Sequence, residues 1–134
     1  MIQFFMQMIP PTVTAQEHRI ASGRPGQKAR VYDSDRLKDA REKLTAHLAI
    51  FTPKAPMDGA LRLVVKWCFP TSDPKRYNTY KPTRPDTDNL QKLFKDCMTR
   101  LDYWHDDAQV ASEISEKFYA EIPGIFVRVE EINE

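Results

Sequence analysis

The stretch Asp86-Thr-Asp-Asn89 places two carboxylates and an amide within a few residues of one another. Carboxylate oxygens are hard donors that suit magnesium, which prefers oxygen ligands and keeps several of its waters. Two or three such groups can hold the ion and leave positions open for a phosphate. A metal held in this way generates hydroxide and stabilises the charge of a phosphodiester under attack. Lys92 follows Asp88 at helical spacing, so both lie on one face. Its ammonium could add charge stabilisation or protonate the leaving oxygen. A second acidic pair, Asp106 and Asp107, follows His105 further along.

Each of these residues also has an ordinary explanation. Aspartate at a helix start caps free N–H groups and suits the dipole. Asp88 and Lys92 could form a surface ion pair worth at most about 1 kcal/mol. Asp106 and Asp107 suit a turn. His105 could be a ligand or proton carrier, but reads better as structural or substrate-facing, and Tyr103 and Trp104 read as core.

The elements that must position these groups follow from hydrophobic period. Leu90, Leu93, Phe94, Cys97, Met98 and Leu101 recur at i, i+3, i+4, i+7 and predict a helix that starts just after Pro85. The acidic groups then face away from its apolar stripe. Such a helix is roughly 20 Å long at 1.5 Å per residue, so Asp107 joins Asp86 only if residues 103–110 fold back or lie in an adjacent strand. Residues 1–9 predict a first strand ended by Pro10-Pro11. Residues 12–30 read as a basic loop, and a helix capped by Asp33 or Ser34 runs to about residue 50 on Leu37, Ala40, Leu44 and Leu48. Leu61 to Phe69 predicts a strand. A short helix or connection is expected at 108–112. Two last strands, 116–121 and 125–132, are expected with a hairpin at Pro123-Gly124.

The loop before Asp86 carries Lys75, Arg76, Lys81 and Arg84 among prolines. Cations there would offset the repulsion between an acidic site and DNA phosphates; a solvated loop is the plain alternative. Tyr77 and Tyr80 interleave them and could stack on bases. The chain as a whole is balanced, with 20 Lys+Arg and 19 Asp+Glu, so any DNA surface must be local.

Its 134 residues suit one domain, 1–134, with 41% apolar and 29% charged residues, an ordinary globular mix. No run is long enough to span a bilayer. Met1-Ile-Gln-Phe-Phe-Met lacks the features of a signal peptide, so a cytoplasmic protein without a membrane partner is expected. Cys68 and Cys97 have no metal-ligand spacing and read as buried thiols. An EF-hand is excluded because Leu90 and Gln91 fall where a ligand and a glycine belong. No P-loop, GxSxG or HExxH is present.

Arg84-Pro-Asp-Thr-Asp-Asn-Leu-Gln-Lys92 followed by Tyr103-Trp-His-Asp-Asp-Ala-Gln-Val110 resembles the signature of RusA-type Holliday junction resolvases. The resemblance implies a small α+β domain with a mixed sheet packed against helices, acting as a homodimer. It implies a magnesium-dependent endonuclease, with manganese a possible substitute, that places symmetrical nicks in a four-way DNA junction during recombination and repair. It assigns Asp86, Asp88 and Asp107 as metal-binding carboxylates, brings Asp107 near Asp86, and makes Lys92 functionally important. Asp106 and Asn89 are possible accessory groups. Two other readings are a non-catalytic branched-DNA-binding protein and an Asp-x-Asp transferase. An intact carboxylate set speaks against the first; the short chain and the lack of a nucleotide-binding βαβ unit speak against the second.

Overall fold

In the computed structural model, residues 1–13, 18–21, 30–33 and 35–133 are described. The central strand is β4 (Leu61–Pro70), the stretch whose residues are nearly all apolar. It lies inside a four-stranded sheet of order β1-β6-β4-β5, where β1 is Ile2–Met6, β5 is Val110–Ala120 and β6 is Gly124–Glu131. β5 runs parallel to β4, while β6 runs antiparallel to both β4 and β1. The sheet is therefore mixed, and the fold is a small α+β domain with helices α1 (Asp35–Ala49) and α2 (Thr87–Arg100). A separate antiparallel pair joins β2 (His18–Ala21), inside the stretch 12–30 expected to be a loop, to β3 (Arg30–Asp33), which starts at the last residue of that stretch.

Alternate residues of β4 explain which face the helices cover. Leu61, Leu63, Val65, Trp67 and Phe69 are buried, and Trp67 meets Phe94 of α2 edge-on with centroids 5.1 Å apart. The expected stripe of α2 is buried from Leu90 through Met98, with Leu101 half-buried, and the stripe of α1 (Leu37, Ala40, Leu44, Leu48) is buried in full. Removing a large aromatic such as Trp67 from this core would cost about 3–5 kcal/mol. Tyr103 and Trp104 are fully buried, and the Tyr103 hydroxyl donates to the Leu48 carbonyl. Cys97 is buried as expected, but Cys68 is only half-buried; both are free thiols.

The ends of α2 matter for the site. At its C-terminus Asp102 takes φ 61°, its N–H reaches Thr99 O at 3.1 Å, and Tyr103 N–H reaches Met98 O at 3.1 Å. This pair of bonds satisfies two of the last helical carbonyls and turns the chain sharply back. The two helices run the same way, since Cys97 Sγ approaches Arg41 O at 4.0 Å and Tyr103 contacts Leu48. Their N-termini therefore share one end of the domain.

Four expectations are corrected. β5 begins at Val110 rather than 116, because its first half is an edge strand whose polar groups have partners. Arg62 Nε donates to Ser112 Oγ, and Trp67 Nε1 to Ser115 Oγ, each at 3.1 Å. Residues 121–123 do not close a hairpin between neighbouring strands, since β4 lies between β5 and β6. Gly124 follows because a Cβ there would stand 2.1 Å from the Phe5 ring and 2.7 Å from Met6 O. The first strand ends at Met6 rather than 9. Asp33 belongs to β3, and Ser34, the other expected cap of α1, lies outside the described residues.

Candidate metal and nucleic-acid site

Asp86 occupies the N-cap of α2 with extended backbone angles, φ −73° and ψ 145°, yet its side chain makes no capping hydrogen bond. Asp88 sits in the first turn. Both are exposed. Asp88 and Lys92 do not pair, whereas α1 has such an ion pair, Asp39 with Lys43, at 3.1 Å. Neither a side-chain cap nor an ion pair therefore accounts for these carboxylates. Among the described residues the side chains of Asp86, Asp88 and Lys92 have no protein partner and open to solvent at one mouth. Asn89 is half-buried beside them, and Gln91 is buried with both polar atoms lacking a partner.

The basic loop is anchored along the free edge of β5. Asn78 N–H donates to Tyr119 O at 2.8 Å, Tyr119 N–H to Thr79 O at 2.9 Å, and Lys81 N–H to Lys117 O at 2.9 Å. The four expected cations separate into two pairs. Lys81 lies 5.3 Å from the ring centres of both Phe69 and Tyr119 and donates to Thr83 Oγ1, while Arg76 lies 5.6 Å from Tyr119 and 3.9 Å from Asp73. These two cations largely hold the loop. Lys75 and Arg84 are exposed, without side-chain partners among the described residues, and are free to meet phosphate. A hydrogen bond with Thr83, helped by the nearby cations Lys81 and Arg76, draws the Tyr119 phenol below its usual pKa. Tyr80 stacks on Phe118 with centroids 4.6 Å apart and donates to Glu116 at 3.0 Å, a bond that pushes its pKa up. One face of its ring is thus engaged, and Tyr77 is half-buried.

The second acidic pair lies elsewhere. Asp106 accepts from Ala108 N–H at 2.8 Å and caps a 3-10 turn, Asp107–Gln109, that leads into β5. One oxygen of this carboxylate, the possible accessory group, is thus engaged in shaping the turn. His105 pairs with Asp58 at 2.7 Å. Gln109 ties the turn together: it accepts from His105 N–H at 2.7 Å and Asp106 N–H at 3.0 Å, and donates to Met57 O and Gly59 O, each at 3.0 Å. Asp107 is exposed with no side-chain partner among the described residues.

Within one chain Asp107 does not approach Asp86. α2 and β5 are antiparallel, and the link between them turns where Asp107 sits. The other end of β5 lies by Asp86, since Lys117 Nζ donates to Pro85 O at 2.7 Å. Val110 to Lys117 along an extended strand spans roughly 23 Å at about 3.3 Å per residue. Among the described residues no group of three His, Cys, Asp or Glu side chains is close enough to hold a metal ion. Two residues that sequence reasoning passed over have the most defined contacts near the acidic groups, Gln109 and Lys117. Neither stands out by type or spacing; only the contacts reveal them.

Comparison with known proteins bears on this arrangement. A family model described as Endodeoxyribonuclease RusA matches residues 9–130. A protein of Lactococcus phage r1t named crossover junction endodeoxyribonuclease rusA is 35% identical over 72 residues. That stretch is 54% of this chain and 55% of the relative, so the match spans about half the length of the curated relative. No described helix is long and apolar enough to cross a membrane.

Proposed function

Because the chain belongs to the RusA endodeoxyribonuclease family, we propose that it is a magnesium-dependent endodeoxyribonuclease that resolves four-way DNA junctions by paired symmetrical nicks. The observation that carries this reading is the state of Asp86 and Asp88: two exposed carboxylates at one helix mouth, neither capping nor paired among the described residues. Carboxylates left free in this way are suited to a cation from solvent. The donor set is all oxygen, which fits magnesium and admits manganese.

When bound, such an ion supplies the hydroxide nucleophile and neutralises charge on the phosphate. The protein's own groups do the rest. Asp86 and Asp88 provide oxygen donors at a fixed position. Lys92, one turn along and unpaired, offers an ammonium to the scissile phosphate or the leaving oxygen. Arg84 and Lys75 offset the repulsion that the carboxylates exert on DNA. The junction as substrate is supported by the name of the phage relative.

The distance to Asp107 shapes the proposed assembly. If Asp107 acts at the same centre, it must come from a second copy of the chain. We read the working unit as a homodimer in which Asp107 of one copy faces Asp86 and Asp88 of the other. A two-fold dimer also suits a two-fold substrate, since each site can meet one strand.

The test is incubation of the protein with an end-labelled synthetic four-way junction, with and without magnesium. Paired nicks that require the metal and vanish in Asp88→Asn are expected. Tight binding without cutting under magnesium or manganese would overturn the nuclease and favour a branched-DNA-binding protein. Equal cutting of linear duplex would retain the nuclease and remove the junction.

A further inference from the structure

Lys117 reaches from β5 to the segment that delivers Asp86. Its Nζ donates to Thr83 O at 2.6 Å and to Pro85 O at 2.7 Å. Pro85 O belongs to the peptide that joins directly to Asp86. The segment has few other means of fixing its backbone. Pro82 and Pro85 have no N–H to give. Among the described residues the next backbone hydrogen bonds on either side are Lys81 N–H to Lys117 O and Leu90 N–H to Asp86 O. Between them, Lys117 alone is seen holding backbone carbonyls of residues 82–85. Thr83 is further held through its side chain, whose Oγ1 accepts from Lys81 Nζ.

A half-buried lysine that spends two of its three donors on neutral carbonyls is not serving as a general solubilising charge. The bonds are charge-assisted and short. They set the orientation of the Pro85–Asp86 peptide, and with it the direction in which the Asp86 carboxylate leaves the chain. Lys117 stands on β5, which is held rigidly by β4 over its whole length, from Leu61↔Val110 to Pro70↔Ala120. The loop is thereby referenced to the sheet rather than left to its own stiffness.

We infer that Lys117 is a positioning residue for the cation site at Asp86 and Asp88: its ammonium, bridging Thr83 O and Pro85 O, fixes the carboxylate geometry that a divalent ion would meet. This rests on the proposed metal-dependent reading of that site. It also makes a prediction whose sign separates it from simple electrostatics. A nearby ammonium repels a metal ion, so on charge alone its removal should tighten metal binding. Loss of positioning should weaken it instead, by an amount typical of groups that orient metal ligands, roughly 10- to 100-fold.

The experiment measures Mn2+ binding to the full chain without DNA, by electron paramagnetic resonance or calorimetry, for wild type, Lys117→Met and Lys117→Arg. The junction assay is run in parallel. Lys117→Met is expected to bind Mn2+ about tenfold or more weakly. It should cut junctions with reduced kcat, recover partly at high metal, and bind junctions without metal as wild type does. Lys117→Arg, which keeps charge and donors, is expected to recover much of the loss. Unchanged or tighter Mn2+ binding by a folded Lys117→Met would overturn the inference, as would no Mn2+ binding by wild type. If Lys117→Met does not fold, Lys117→Gln, which keeps one donor arm, is read by the same criteria. If wild type binds Mn2+ but does not cut junctions, the proposed function fails, and the binding comparison still decides the role of Lys117.

Discussion

Asp86 and Asp107 stand at opposite ends of the α2–β5 unit, with Lys117 marking the Asp86 end through its bond to Pro85 O. The separation follows from an antiparallel helix and strand joined at the far end. It makes the proposed part of Asp107 at the Asp86–Asp88 site a question that can be tested directly.

Mixing two inactive variants answers it. Asp86→Asn/Asp88→Asn carries an intact Asp107, and Asp107→Asn carries an intact pair. If each site draws Asp107 from the other copy, mixed dimers contain one complete site. Refolding the two variants together should then restore single-strand nicking of a junction. Absence of any recovery in verified mixed dimers would remove Asp107 from the site.

The unpartnered state of Asp86 and Asp88 has a stability signature. A side-chain cap lost to substitution typically costs about 1 kcal/mol. Asp86 makes no such bond. Asp86→Ala and Asp88→Asn are each expected to change unfolding free energy by less than about 0.5 kcal/mol. Urea denaturation measures this, and a loss near that of a true cap would restore the structural explanation.

Gln109 should behave in the opposite way. Its amide serves two N–H donors and two carbonyls that join the 105–106 and 57–59 segments. Gln109→Ala leaves several polar groups unsatisfied, and a loss of about 1–3 kcal/mol is expected in urea melts. Gln109→Glu should also destabilise, since it cannot donate to Met57 O and Gly59 O when ionised.

The division of the loop cations predicts different salt responses. Arg84 has no side-chain partner among the described residues, so Arg84→Ala should weaken junction binding and reduce the salt slope by about one counterion. Lys81 is lodged between Phe69 and Tyr119. Lys81→Met should change the salt slope less and loosen the loop more, read as faster amide exchange at residues 78–83.

Tyr103 gives the fold an alkaline limit. Burial pushes its pKa up to about 12 from an ordinary value of 10.0. The folded state therefore holds this proton more tightly than the unfolded chain. Its contribution is fully present below pH 10 and is lost as pH rises towards 12. Urea midpoints of wild type should fall across that window, and those of Tyr103→Phe should fall less.

Much of the fold was legible because burial imposes period. The stripes of α1 and α2 were read residue by residue, since a helix against a sheet must bury one face. β4 was readable as a strand because its residues are nearly all strand formers, although its central place in the sheet was not. The first half of β5 was not, because an edge strand can satisfy Ser112, Glu113 and Ser115 with side-chain partners and needs no apolar alternation. The order of the strands was equally hidden. Period identifies a strand but not its neighbour, and so β5 and β6 were taken as a hairpin although β4 lies between them.

The acidic groups divide along the same line. The sequence by itself determined that Asp86 and Asp88 lie at the start of α2 and face outward, because the apolar stripe fixes the helix's rotation. It also provided the two motif blocks that resemble the family's signature. Only the tertiary structure decided that Asp86 does not cap, that Asp88 and Lys92 stay apart, that Asp106 caps a turn, and that Asp107 lies at the far end. The reason is physical. Helix rotation is a local consequence of hydrophobic spacing, whereas the partners of a polar side chain depend on which distant segments the sheet brings beside it.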